Sequence, residues 1–185
     1  MTELRTSRLV LRPWREADLV PWAAMNADPE VRAHFPGTLT REESAASVRR
    51  FQADLEARCW GWWALEVAAT GEFIGFAGLD PVDDDTPATG VEAGWRLARH
   101  AWGHGYATEA GDAVLACGFQ QLALPEILAV TTRGNHRSQA VMRRLGMTRT
   151  PADDFEDLTV PENSPVRHNV IYRLAREEYR PPAGA

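Results

Sequence analysis

A chain of 185 residues is long enough for one sizeable domain and short for two. Its 44% hydrophobic and 25% charged residues exclude a fibrous or disordered chain. The net charge of −6 argues against nucleic acid as a partner and suits a cationic acceptor, and no apolar run reaches membrane-spanning length.

In chain order, residues 8–12 read as a strand closed by Pro13. A helix starting at Glu16 or Asp18 runs to about residue 26, with Leu19, Trp22, Ala23 and Met25 as its apolar face. Asp28-Pro29-Glu30 starts a further helical turn. Thr40 and Glu43 form a capping box that predicts a helix over 41–58, with Ala45, Val48, Phe51 and Leu55 on one side. The period then changes, and residues 62–68 and 72–79 read as a hairpin around Thr70-Gly71. Residues 80–90 are a polar loop. Its run Asp83-Asp84-Asp85 reads as solvated, because adjacent carboxylates rarely all face one ion.

Residues 91–97 form the next strand. A helix follows over 106–122, and its spacing of Ala110, Ala113, Val114, Cys117 and Gln121 makes Cys117 a core residue rather than a nucleophile. Then come a strand over 126–132, a helix over 135–145 stopped by Gly146, and a short strand over 147–150. Residues 151–165 read as a loop, 167–175 as the last strand and 181–185 as a disordered tail. This is one α/β domain over residues 1–185. Most of the seven tryptophans belong in its core. Cys59 and Cys117 lack metal or redox spacing and no secretion-type segment opens the chain, so the expectation is a reduced, cytoplasmic protein.

Gly103 and Gly105 stand where strand becomes helix. Glycine permits φ > 0 and leaves room for a ligand, and the helix behind adds unpaired N–H groups and the positive end of its dipole. That is a cradle for a pyrophosphate. A dinucleotide fingerprint would place a third glycine where Thr108 stands and an acid at the end of the next strand, whereas Glu126 sits at its start. The Gly-Lys-Ser/Thr of nucleotide hydrolases is absent.

The run Trp102-Gly-His-Gly-Tyr-Ala-Thr-Glu-Ala110 resembles the acyl-CoA loop of GNAT-type N-acetyltransferases. It is most similar to the branch that acetylates the N-terminal alanine of ribosomal proteins. Asn135-His-Arg-Ser-Gln-Ala-Val-Met-Arg-Arg-Leu-Gly-Met147 resembles the family's Asn-x-x-Ser helix. Thr6-Ser-Arg-Leu-Val-Leu-Arg-Pro13 followed by Glu16-Ala-Asp18 also matches the branch. One departure is His100, where the family usually has Gln or Arg. A neutral His can fix the loop by hydrogen bonding, with a pH-dependent contribution.

The resemblance implies a mixed, mostly antiparallel sheet flanked by helices and splayed between strands four and five, here 91–97 and 126–132. It implies acetyl-CoA as co-substrate. The backbone of Leu97, Ala98 and Arg99 would hold the pantetheine arm, and Gly103, His104, Gly105, Tyr106, Ala107 and Thr108 the pyrophosphate. Asn135 would touch the CoA arm as well as cap its helix. Ser138 would hydrogen-bond the leaving thiolate, since Met142 stands where other members carry Tyr and cannot donate.

The amine must lose a proton before it attacks, because an alkylammonium has no lone pair. Glu92 is the leading candidate base and Glu66 the alternative; for each, a plain solvent-facing strand residue is an equal reading. Glu109 reads as a first-turn acid favoured by the helix dipole. His100 and His104 lack a third ligand, so no metal is expected. No Cys-His pairing is evident, so attack on acetyl-CoA should be direct. The acceptor implied is a primary amine, a peptide N-terminus in the branch it resembles. Polyamine or antibiotic acetylation and a non-catalytic acyl-CoA sensor or regulatory module are the alternatives. Nucleic acid and membrane are not expected partners, and monomer and homodimer both stay open.

Overall fold

The computed structural model describes residues 3–82 and 86–181, so the readings of Asp83, Asp84 and Asp85 and of residues 182–185 lie outside the described residues. Its first strand, β1 (Leu4–Arg5), has two residues, too few for any alternation to register in the sequence. β2 (Leu9–Arg12) follows a turn closed by the Thr6 N–H on the Leu9 carbonyl at 3.0 Å. A 3-10 turn (Glu16–Asp18) leads into α1 (Leu19–Ala27). After it, the Arg32 N–H bonds to the Asp28 carbonyl, closing one turn that does not extend.

α2 (Arg41–Arg58) begins at the predicted capping box. The Glu43 N–H donates to Thr40 Oγ1 at 3.2 Å, and the Thr40 N–H to the Glu43 carboxylate at 2.7 Å. β3 (Trp62–Val67) and β4 (Glu72–Pro81) form the hairpin, with Gly71 at φ 72°. β4 runs two residues past the predicted end, because Asp80 and Pro81 still pair with β5 (Val91–Leu97). α3 (Tyr106–Ala116) widens into a π-helical turn (Cys117–Gln121) that the 3.6-residue period does not predict. There Gly118 lies so close to the sheet that a Cβ would stand 2.4 Å from Ile127 Cδ1. β6 (Glu126–Thr132), α4 (His136–Arg144), β7 (Thr148–Arg149), β8 (Phe155–Glu156) and β9 (His168–Ala175) complete the chain. β8 lies in the stretch read as loop; it too is only two residues long.

The sheet order is β1-β2-β3-β4-β5-β6-β9-β7, with β8 also on β9. All neighbours are antiparallel except β5 and β6. β4 and β5 pair from Gly75↔Leu97 to Pro81↔Val91, whereas β5 and β6 pair only at Glu92↔Leu128. Past that bridge the two strands diverge, which is the predicted splay.

The helices lie on both faces. Even-numbered residues of β5 lie on the side of α1: Gly94 approaches Trp62 of β3, and Arg96 lies beside Trp22 of α1 and Phe76 of β4. Trp14, Trp22, Phe51, Trp62 and Phe76 pack there with ring centres 5.1 to 6.5 Å apart. Trp22 is fully buried, and truncating it to alanine would cost about 3–5 kcal/mol. α3 covers the opposite face, where Gly118 meets Leu79.

Candidate active site

The splay opens one side of β5. The Ala98 N–H donates to the Ile74 carbonyl at 2.9 Å, so strand alternation turns the amides of Trp95 and Leu97 away from β4, toward the gap. The Leu97 carbonyl is already taken by the Trp102 indole N–H at 2.8 Å. The carbonyls of Ala98 and Arg99 close the 3-10 turn (Arg99–Ala101), and the Arg99 side chain pairs with Glu30 at 2.6 Å. Of the predicted trio, Leu97 turns its N–H to the gap, whereas the Ala98 N–H is spent on β4. Trp95 faces the gap as Leu97 does, which only the pairing register reveals.

At the end of β5 the chain turns through Gly103 and Gly105, both at φ 80°. A Cβ on Gly103 would meet nothing within 4 Å, and one on Gly105 only Arg8 Nη2 at 3.5 Å. No side chain caps α3, whose first backbone bond runs from the Glu109 N–H to the Gly105 carbonyl. The N–H groups of Tyr106, Ala107 and Thr108 thus point outward at an open cradle. His104 stacks on Tyr106, with Nδ1 2.9 Å from the Trp102 carbonyl.

Two cations flank this cradle. The Arg8 guanidinium lies 4.9 Å over the Tyr106 ring and donates to the His104 carbonyl at 3.0 Å. Arg137 of α4 lies 4.4 Å over the Trp102 ring, across the mouth of the splay. Neither has a spacing signal in the sequence; Arg8 and His104 are 96 residues apart. Glu109 ties the amino-terminal segment to the loop, accepting from Thr6 Oγ1 at 2.6 Å, the Arg8 N–H at 2.9 Å and Arg8 Nε at 2.6 Å. Burial raises the Glu109 carboxyl, but these donors outweigh it and hold it below its ordinary value. The loop-fixing role expected of His100 falls to this pair. His100 instead meets Glu72 at 3.0 Å on the exposed surface.

At the closed end of the splay, a cleft of about 290 Å³ is lined by Glu92, Thr131, Asn135 and His34. The Asn135 Oδ1 accepts the Ser138 N–H at 3.1 Å and its Nδ2 donates to Thr131 Oγ1 at 2.9 Å. Asn135 is thus the N-cap of α4, with one N–H and one lone pair to spare. Ser138 is partly exposed in the first turn of that helix, and Met142, one turn on, is buried. His34 lies in the segment between α1 and α2, with Nδ1 3.0 Å from Thr132 Oγ1. Burial, then the charges of Arg137 and His136, push its imidazole down, so it is neutral at physiological pH and can accept a proton. A lone loop histidine carries no motif, and sequence reasoning passes over it.

Glu66 does not join this group. Arg12 Nε donates to its carboxylate at 2.6 Å and Arg15 at 3.1 Å. Glu66 pairs with Phe73 on β4, and Glu92 with Asp80, which separates them by about 23 Å along the strand direction. The alternative base is therefore a framework residue, and alternation within β3 cannot reveal that its partner is an arginine on the neighbouring strand β2. Burial pushes the Cys117 thiol up to about 11, which suits a core residue. Among the described residues, no three His, Cys, Asp or Glu side chains converge as a metal would need, and no helix is long and apolar enough to cross a membrane.

Residues 8–148 match the family model described as an acetyltransferase (GNAT) domain. The chain is 31% identical over 147 residues to the uncharacterized protein YkkB of Bacillus subtilis, covering 79% of this chain and 85% of that one. It is 29% identical over 182 residues to an FsC-acetyl coenzyme A-N(2)-transacetylase of Aspergillus fumigatus, covering 95% of this chain and 77% of the relative. The crystal structure of an acetyltransferase from Agrobacterium tumefaciens has a TM-score of 0.75 to it at 28% identity, over 94% of each chain.

Proposed function

The chain belongs to the GNAT family of acetyl-CoA-dependent N-acetyltransferases, and from that premise we propose that it acetylates the free amino end of a protein or peptide by direct attack, with no covalent enzyme intermediate. The observation that carries this reading is the lone Glu92↔Leu128 bridge. It leaves the amides of Trp95 and Leu97 open beside an uncapped helix terminus. Those two residues would hold the pantetheine amides as an added strand does. The N–H groups of residues 103–108 would hold the pyrophosphate, with Arg8 and Arg137 balancing its charge. Open space at Gly103 fits that approach.

Bound acetyl-CoA supplies an activated acyl carbon. The protein's part is to deprotonate the amine and stabilise the leaving sulfur. Glu92, through a water, takes the proton, with neutral His34 beside it in the cleft. Ser138 donates a hydrogen bond to the sulfur; a serine hydroxyl is too weak an acid to protonate it outright. An α-amine titrates near 7.7–8.0, so modest help from a base suffices at neutral pH. A second reading, an acceptor other than a protein amino end, has one observation in its favour: the Aspergillus relative is named for an N(2) position of FsC.

Thiol release from acetyl-CoA in the presence of matched peptides tests the main reading. Peptides with a free amino end should be acetylated and amino-blocked, lysine-bearing ones should not; the reverse pattern would sink it. Glu92→Gln should lower kcat/KM most below the amine's pKa, with the deficit shrinking as pH rises. A ratio constant across pH would move the base to His34 or solvent.

A further inference from the structure

Two arginines beside the cleft have no acid paired with them among the described residues. Arg96 lies on the face of β5 shared with Glu92 and donates Nη1–H to Asn26 Oδ1 at 2.9 Å. Its Nε is buried and bonds to nothing. Arg32, in the segment between α1 and α2, is 9% exposed and donates Nε–H to the Gly37 carbonyl at 2.6 Å. Both lie against one ring, their guanidinium carbons 4.1 Å (Arg96) and 4.4 Å (Arg32) from the centre of Phe35. Trp22 and Phe76 flank Arg96 at 5.4 Å. Among the described residues neither arginine forms an ion pair with a carboxylate. The acid that acts on Arg32 through space, Glu43, is bonded to Thr40.

Such an arrangement is costly by itself. Removing a cation from water costs more than an aromatic face returns. Burial, then the charge of Arg32, lowers the Arg96 guanidinium to about 9, so it remains charged at neutral pH. A charged fork with donors to spare is matched by a carboxylate, which takes two parallel N–H bonds. Phe35 is 37% exposed, lines the cleft that holds Glu92 and touches both cations, so the two guanidinium groups border that cleft at Phe35.

We propose that the acceptor bears a carboxylate as well as its amine, and that Arg96 and Arg32 receive that carboxylate at the Phe35 wall. This rests on the acetyltransferase reading of the cleft and narrows its substrate class. Glu92 and Arg96 are four residues apart on one strand face, about 13 Å. The acid therefore stands well away from the amine, as in a peptide with an acidic side chain near its amino end or in a long ω-amino acid. A polyamine would place a second cation against two others.

Calorimetric titration of the CoA-saturated protein with two matched pairs tests this. One pair is ε-aminocaproate and its amide. The other is a short peptide with glutamate near its free amino end and its glutamine counterpart. The acid of at least one pair should bind about tenfold to a hundredfold tighter, the scale of a hydrogen bond to a charged group, and the pair that discriminates identifies the source of the carboxylate. Arg96→Gln should abolish the preference and Arg96→Lys, which keeps charge but not the fork, should restore part of it. Arg32→Gln, outside the sheet, should weaken it too and serves if Arg96→Gln fails to fold. Equal binding of acid and amide, no binding of either acid, or a preference that survives both glutamine substitutions would overturn the inference. A preference without acetyl transfer would leave the anion site standing and count against the acetyl-transfer reading instead.

Discussion

Arg12 and Arg96 are both strand arginines of one sheet, and the protein treats them in opposite ways. Arg12, with its side chain 3% exposed, grips Asp18 through two parallel bonds of 2.7 and 2.9 Å and gives Nε–H to Glu66. Burial alone would lower its guanidinium, but the two carboxylates outweigh that and raise it. Arg96 has a neutral amide, three aromatic rings and a second arginine around it. The lesson is that burial of a charge says little until its partners are counted. A saturated ion belongs to the framework; one with no carboxylate among its partners calls for a separate explanation.

The largest expected effect tests that contrast directly. Arg12→Ala should strand two acids and cost about 3–5 kcal/mol, read as a lower urea midpoint at unchanged slope. Arg96→Ala removes a charge with no acid paired to it among the described residues and should cost far less. Equal losses would break the comparison.

Glycines sharpen it in the same terms. A Cβ at Gly78 would stand 1.9 Å from the Gly61 carbonyl oxygen, whereas one at Gly103 meets nothing. Gly78→Ala should therefore destabilise by about 1–3 kcal/mol or more without a specific effect on CoA binding. Gly105→Val should put a side chain where phosphate must approach and weaken CoA affinity by about a hundredfold, the loss of two or three charged hydrogen bonds. Calorimetry with CoA separates the two; unchanged affinity in folded Gly105→Val would remove the cradle from the site.

Ser138→Ala comes next. Its hydrogen bond strengthens only as charge develops on sulfur, so kcat should fall about tenfold to a hundredfold with little change in acetyl-CoA binding. Single-turnover rates check this, and an unchanged chemical step would return Ser138 to the framework.

The smallest effect concerns Glu109, a saturated acid beside the open cradle. Its folded-state carboxyl lies below the ordinary glutamate value, so as pH falls the unfolded chain takes up the proton first. Its contribution is full above that value and is lost as pH falls through the lower, folded-state one. Partial exposure limits it to about 1 kcal/mol. Glu109→Gln should lower the neutral plateau of Tm against pH by about that amount and change the acid end little, so that the acid limb flattens.

Much of the molecule was legible beforehand. The Thr40–Glu43 box, the Thr70-Gly71 hairpin and the apolar spacing of α2 and α3 are short-range signals, set by backbone geometry within a few residues. The glycine pair and its helix were readable for the same reason. β1 and β8 escaped because two residues carry no period, and the π-helical turn after Ala116 because Gly118 answers to Ile127 and Leu79 across a layer boundary.

The candidate site divides along the same line. Its backbone parts at Gly103 and Gly105 follow from local conformation and were visible in the sequence, and Leu97 was named by the family resemblance. Its charged and paired parts were not. Whether Glu66 or Glu92 reaches the cleft depends on the register of β3, β4 and β5. That Arg8 braces the loop, that Trp95 opens toward the gap and that Arg96 lies among aromatic rings depends on strands and helices far apart in the chain. Local sequence determined where strands and helices form, because dihedral preference and capping act over one or two turns. Tertiary structure alone decided which charges are neutralised, because a side chain's partner is set by how the whole sheet registers and not by its own neighbours in the chain.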